Sequence, residues 1–452
     1  MAVFCFFTRY RSFLSMSLLL MAISCDDAAG NGTDDGGTVS YVGTNYYIDS
    51  QNGDDENSGK SESEPWASFA NIKKGIFSPG DSLLIRRGSE FDEMLLIEDS
   101  GAKGAPVVIS DYGDLSLPAP SFTNTVFSPE QNEYGNCVRI KGSHVVLENI
   151  YCYGTVADLP EDAGDFLTMW ELGAIYIDKS ATNCVVRNNE INDCGVGVKS
   201  YGEYAVIDGN YIHDCNRVLK KWSWGPIAIW LGADCQEVCN NTIVNYSVVD
   251  PHISWGPGSY GGGADGGAIE IDDARIDKYN IEIHHNYTRD NQGFIEVTWT
   301  DVEQNPDYRN FHVHHNVCDD YQQFVALWCG KNCLFEYNTI IRRKKNANDW
   351  GIFNIASDDS GNIVRNNIIV TEKNIPVFLV GSGNNFRPAT VIVNNLYWAA
   401  DEQDEMPEFG YEGPGDDYII GNPEFVDYSG NSKNDFRLKD DSPYKGIGIG
   451  AL

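Results

Sequence analysis

Val185-Val186-Arg187-Asn188-Asn189-Glu190-Ile191 decides the fold. It reads apolar-x-apolar-x-x-Asn-x-apolar, and degenerate copies recur along the chain, as in Val391-Ile392-Val393-Asn394-Asn395. The asparagines at this phase are Asn149, Asn189, Asn210, Asn241, Asn286, Asn316, Asn338, Asn367 and Asn395. Their separations run from roughly 20 to 45 residues, the range of solenoid repeats. A short apolar strand ending in Asn reads as one side of a coil, with Asn taking a left-handed corner that other side chains avoid. Stacked corners bring successive side-chain amides to about 4.8 Å, where each can donate to the next. The pattern predicts an all-β chain folded as a right-handed parallel β-helix.

Each coil carries a second strand ahead of the ladder strand, usually opened by glycine: Gly173–Asp178, Gly195–Lys199, Gly225–Leu231, Gly267–Asp272 and Gly293–Trp299, then Phe324–Cys329, Gly351–Ala356 and Val377–Val380. Period-two alternation sends Ile175, Ile177, Ile227, Ile229, Ile269, Ile271, Ile295, Val297, Val325 and Leu327 inward. Aligned from those glycines, the outward residues form two columns. One runs Tyr176, Gly197, Ala228, Glu270, Glu296, Ala326 and Asn354; the other runs Asp178, Lys199, Trp230, Asp272, Thr298, Trp328 and Ala356.

At the N-terminus, Arg9 and Arg11 precede an apolar run from Phe13 to Ile23 and then Ser24-Cys25. This reads as a secretory signal over residues 1–25, too short to count as a span. Ser24-Cys25-Asp26-Asp27 resembles a bacterial lipoprotein signal, which implies a lipid anchor at Cys25. Residues 26–44 read as an acidic, glycine-rich linker, and 45–452 as a single β-helix domain. Pro65-Trp66-Ala67-Ser68-Phe69 opens a helical pattern ending before Pro79-Gly80, an expected N-terminal capping helix over the open end of the solenoid. The localisation expected is secreted or cell-surface, on the outer membrane of a bacterium.

The 452 residues carry a formal charge of −34, which argues against nucleic acid and against an anionic membrane face. Ten cysteines remain beyond Cys5 and Cys25. Cys194 and Cys215 fall at one phase of successive coils, within reach of a bridge, and Cys235/Cys239 and Cys329/Cys333 each flank a tight connection. Structural bridges or core thiols are expected there rather than a metal site. A monomer is expected.

Chemistry concentrates on the outward face. Glu270 and Glu296 align on adjacent coils, with Asp272 two residues from Glu270, so three carboxylates share one patch. Such a cluster is costly unless a proton or cation sits in it. Trp230 and Trp328 flank it, where indoles could stack on sugar rings. The two longest insertions precede the Trp230 and Glu270 strands and contain Lys220, Lys221, His252 and Trp255. Lys199, Lys220, Lys221 and His252 would contact substrate, and Trp255 would add a stacking surface. Asp265 is a further acid just ahead of its strand. His284-His285 and His314-His315 also align; strict alternation lets at most two of the four meet on one face, so stacked structural histidines are expected and no metal is assigned.

From Tyr46 onward, the chain resembles the pectate-lyase-like superfamily of right-handed β-helix carbohydrate-active enzymes. The resemblance rests on Tyr46-Tyr47-Ile48-Asp49-Ser50, Pro65-Trp66-Ala67-Ser68-Phe69 and the stretch Pro79–Gly88. Asp265–Asp272 is similar to the acidic strand of several β-helix glycoside hydrolases. The alginate and chondroitin lyases of this fold also have an acid-x-acid strand, there binding calcium, which implies Glu270 and Asp272 for that role. Those lyases follow it with a lysine base and an arginine on the next coil, where this chain has Arg275, out of register, and Thr298. The expectation is an exported glycoside hydrolase acting on a polysaccharide of algal, sulfated type. Glu270 and Glu296 are its acid/nucleophile pair, Asp272 supports them, and no cofactor is required. The alternatives are a Ca2+-dependent polysaccharide lyase and a non-catalytic glycan-binding solenoid.

Overall fold

The computed structural model describes residues 41–155, 171–215, 224–247, 265–273, 275–298, 306–342, 351–355, 361–372, 374–378, 390–401, 406–410 and 413–452. The expected signal and anchor (1–25) and most of the expected linker lie outside them. Val39–Leu452 forms one compact unit. No described helix is long and apolar enough to cross a membrane.

Each full coil contributes one short strand to each of three long sheets. In one coil these are Ile175–Ile177, Val185–Arg187 and Glu190–Asn192; in the next they are Val196–Ser200, Val206–Asp208 and Tyr211–Cys215. Repeating this path builds a twelve-stranded ladder sheet, a second twelve-stranded sheet and a nine-stranded third sheet. Successive coils pair in parallel, as in Val185↔Val206 and Ile191↔Ile212. The chain is therefore a right-handed parallel β-helix. The predicted inward residues Ile175, Ile229, Ile269, Ile295 and Val325 fall in one column, joined by Val198 between the first two, and all six are at most 2% exposed.

The asparagine ladder is real but has eight members. From Asn189 to Asn395, each Nδ2 donates to the next asparagine's Oδ1 at 3.0 Å. The same Oδ1 accepts a backbone N–H, as from Asn241 to Asn286 at 3.0 Å. Asn149 does not belong: Glu148 pairs with Arg187, so Ile150 occupies the ladder phase and Asn149 falls beside Asn188. The left-handed corner is also taken by the preceding residue, as at Asn188 (φ 53), Asn240 (φ 55), His285 (φ 57) and Tyr337 (φ 53). Keeping the ladder asparagine out of that corner turns its amide inward, where all eight are at most 2% exposed.

The expected capping helix is not formed. Residues 65–80 make turns, and Trp66 is captured as a bridge partner of Ile48, its N–H donating to the Tyr47 carbonyl at 2.9 Å. Side-chain acceptors take the amides a helix would have used. Asp55 accepts from Ala67 and Ser68 N–H at 2.9 Å, and Asp99 from Gly75 and Phe77. The open end is closed by aromatics instead, with Tyr46 stacked on Trp66 and Phe69 on Phe91. The cysteines serve the core: Cys137, Cys152, Cys184, Cys194, Cys239 and Cys318 are buried thiols, so of the two expected states, bridge or core thiol, Cys194 takes the second.

Candidate active site

The third sheet carries the predicted acids, and its register puts them together. Glu270 pairs with Glu296, and Ile269 and Ile271 on either side of Glu270 point inward. Alternation therefore places Glu270, Glu296 and Asp272 on the outer face. Glu270 is 7% exposed and Asp272 1%, whereas Glu296 is half-buried. Trp328, on the coil beyond, donates its Nε1–H to Glu296 Oε1 at 3.2 Å.

The neighbouring columns differ from those expected. Tyr176 pairs with Lys199, Lys199 with Trp230, and Trp230 with Glu270. Lys199 and Trp230 thus belong to the Glu270 column, not to the Asp272 column, and Gly197 and Ala228 fall outside it. The opening glycines do not share a register: Gly267 pairs with Ile227, two residues beyond Gly225, and Tyr176 pairs with Lys199, two residues beyond Gly197. Counting from those glycines therefore displaces the column by two residues. The corrected column runs Arg139, Tyr176, Lys199, Trp230, Glu270, Glu296, Ala326 and Asn354.

Trp230 is a second correction. It is 0% exposed, and the Lys199 Nζ sits 3.3 Å from its ring centre, so this face is occupied by a cation rather than open to a sugar. Lys199 is itself 0% exposed. Burial drives its amine down to about 7, and only the nearby negative charge, Glu270 first and then Asp272, opposes the fall. A second buried amine, Lys278, donates to the carbonyls of Asp273 and Ile276 at 2.7 and 2.9 Å and to Tyr308 Oη at 3.1 Å. Burial lowers it to about 8 against the pull of Asp273 and Asp272.

Asp273 anchors the end of the acidic strand. It is 0% exposed, held by Arg275 through Nε–Oδ1 at 2.7 Å and Nη2–Oδ2 at 2.5 Å, and accepts the Tyr201 hydroxyl at 3.0 Å. Burial works to raise its pKa, but the Arg275 bonds outweigh that and hold it below the usual carboxylate range. The out-of-register Arg275 is thus committed to Asp273. Arg139 lies further along the column, beyond Tyr176, bonded to Glu171 at 2.6 Å with its guanidinium 4.5 Å from the Tyr176 ring centre. Beside it Glu171, Tyr176, Asp178, Tyr201 and Arg275 line a cleft of about 310 Å³, at the low end of ligand-site volumes.

Sequence reasoning missed Arg139, Tyr201, Asp273 and Lys278. The Asp272-Asp273 doublet was a usable signal, since alternation cannot place both on the outer face without a break; Asp273 supplies it with φ 82. Lys220, Lys221, His252 and Trp255 lie outside the described residues, as do Thr298's successor Trp299 and Ala356.

No family model matches the chain. A lacto-N-biosidase from Bifidobacterium longum is 28% identical over 309 residues, a match covering 56% of this chain and 18% of that protein. Among solved structures, the pectate lyase Pel9A has a TM-score of 0.53 at 14% identity, covering 92% of this chain and 97% of its own. A rhamnogalacturonan lyase has a TM-score of 0.50 at 12% identity, covering 90% and 96%. At such identities the structural likeness speaks for the fold alone. The chain thus takes its place among parallel β-helix proteins whose structural neighbours are carbohydrate-active enzymes.

Proposed function

We propose that the chain is an exported glycoside hydrolase whose reacting groups are Glu270 and Glu296, with Asp272 as a supporting carboxylate. The observation that carries this reading is the register pair Glu270↔Glu296 on the outer face of the third sheet. Adjacent parallel strands set their backbones about 4.8 Å apart, which suits the close carboxylate spacing of a retaining mechanism. Glu270 is the more buried, and burial disfavours charge, so it is assigned as acid/base. Glu296 accepts the Trp328 N–H, which stabilises its anion, and is assigned as nucleophile. The match to a lacto-N-biosidase supports hydrolysis and makes a lacto-N-bioside the first substrate to assay, with algal and sulfated polysaccharides next. The Ser24-Cys25 pattern supports export and a lipid anchor. Incubation with such glycans should release new reducing ends with retained anomeric configuration. Anomeric inversion would move the assignment to the wider Glu296–Asp272 pair.

One observation favours a second reading. Lys199, with its amine near neutrality beside Glu270, has the proton affinity of a base for β-elimination. In that reading Glu270 and Asp272 would hold Ca2+ against a uronate, as the acid-x-acid resemblance implies. Products absorbing in the ultraviolet and lost on chelation would select it; binding without any product would leave a glycan-binding solenoid.

A further inference from the structure

On the ladder sheet, a different face of the same coils, lie histidines that the proposed reaction does not use. His284 and His314 face outward, and their rings stack at 4.9 Å. His285 and His315 sit in left-handed corners (φ 57 and 53), which breaks the alternation and keeps them on the outside too, stacked at 5.1 Å. The expectation that only two of the four could meet on one face is therefore corrected. A fifth histidine, His312, joins them, its ring 4.1 Å from that of His314.

We propose that Glu282, His312 and His314 form a binding site for one divalent transition-metal ion of the zinc class. Glu282 Oε1 lies 3.0 Å from His314 Nε2 and 3.8 Å from His312 Nδ1, and the three ligand atoms all fall within 4.8 Å of one another. Tetrahedral ligands bound at about 2.1 Å are separated by about 3.4 Å, between those two distances. The outer contacts orient the rings correctly. His312 turns Nε2 to Glu336 Oε1 at 3.1 Å, leaving Nδ1 for the ion, and Glu336 is fixed by Arg365 at 2.6 Å. His314 turns Nδ1 to His315 Nδ1 at 2.7 Å, leaving Nε2. A carboxylate behind a ligating imidazole is the usual support of such a site. Two imidazoles and one carboxylate favour zinc, cobalt, nickel or copper over calcium. Glu282 and the two histidines belong to successive strands, so an ion would staple the coils that carry Glu270 and Glu296. The neighbouring group Glu237, Cys239 and His284 is less prepared, because burial and the Asp208 and Glu237 charges keep the Cys239 thiol protonated.

The test uses the intact chain, stripped with a chelator and titrated calorimetrically with Zn2+, and separately with Co2+ followed by visible absorption. The expected result is one strong site with a nitrogen–oxygen Co2+ spectrum and a rise in Tm of about 2–5 °C at saturating Zn2+. H312A/H314A should lose the site, whereas H213A, which alters a separate surface histidine, should keep it. Should the double variant misfold by circular dichroism, E336Q decides: it retains all three ligands and should bind Zn2+ about 10- to 100-fold more weakly. No strong site in the parent chain, unchanged uptake by a folded H312A/H314A, or unchanged affinity in E336Q would overturn the proposal.

Discussion

The Lys199 Nζ rests 3.3 Å from the centre of the Trp230 ring, and Trp230 is the register partner of Glu270. A buried cation, an indole and a carboxylate are thus stacked in one column of the third sheet. The arrangement makes Lys199 the titrating neighbour of the acids. Its folded pKa, about 7, is below its unfolded value of about 10.4. Between those values the unfolded chain binds the extra proton, so this residue's contribution to stability rises with pH across that window and is flat below it. Subtracting the Tm–pH curve of K199M from that of the parent chain should leave a rise from about pH 7 to pH 10. A flat difference would contradict the burial of this amine.

Asp273 makes the opposite prediction. Its folded pKa is depressed by Arg275 against the effect of burial, so its stabilisation is present above the unfolded carboxylate range and lost as pH falls through the folded value. Replacing it removes the anion that Arg275 and the Tyr201 hydroxyl bond, while the half-exposed Arg275 can turn to water, so D273N should cost about 1.5–3 kcal/mol at neutral pH. Its unfolding free energy should also fall less steeply in acid than that of the parent chain. Urea unfolding at pH 7 and pH 3 measures both.

The ladder correction is testable by contrast. Asn286 gives and receives four buried hydrogen bonds, two through Nδ2 and two through Oδ1. N286A should therefore destabilise by about 2–4 kcal/mol. Asn149 holds a half-buried left-handed corner outside the ladder, and glycine accepts that conformation, so N149G should cost no more than about 0.5 kcal/mol. Equal losses in denaturant would return Asn149 to the ladder.

Trp328 ties its role to Glu296 through one hydrogen bond. W328F keeps an aromatic ring and removes the Nε1–H donor, so kcat should fall about tenfold. KM should change little; a rise in KM at constant kcat would make the indole a binding surface alone.

Much of the fold was legible because alternation and the repeating Asn are direct consequences of coil geometry. The inward column from Ile175 to Val325 and the pairing of Glu270 with Glu296 follow from that period. What failed were positions where a local bond replaced a regular one. The opening glycines of successive coils differ in register, Asp55 and Asp99 satisfy the amides of the expected capping helix, and His285 leaves the alternation through a left-handed corner. None of these leaves a periodic trace. Lys199 and Trp230 were legible as neighbours in one column, but their burial was not, because alternation says which face a side chain takes and not what covers that face.

The central claim is that the paired carboxylates of the third sheet do the chemistry. It is tested most directly by glycan turnover in E270Q and E296Q, each checked for an intact fold by circular dichroism. Loss of at least about a thousandfold in kcat for both is predicted, because neither amide can act as acid or nucleophile. Turnover undiminished in either folded variant would contradict the account.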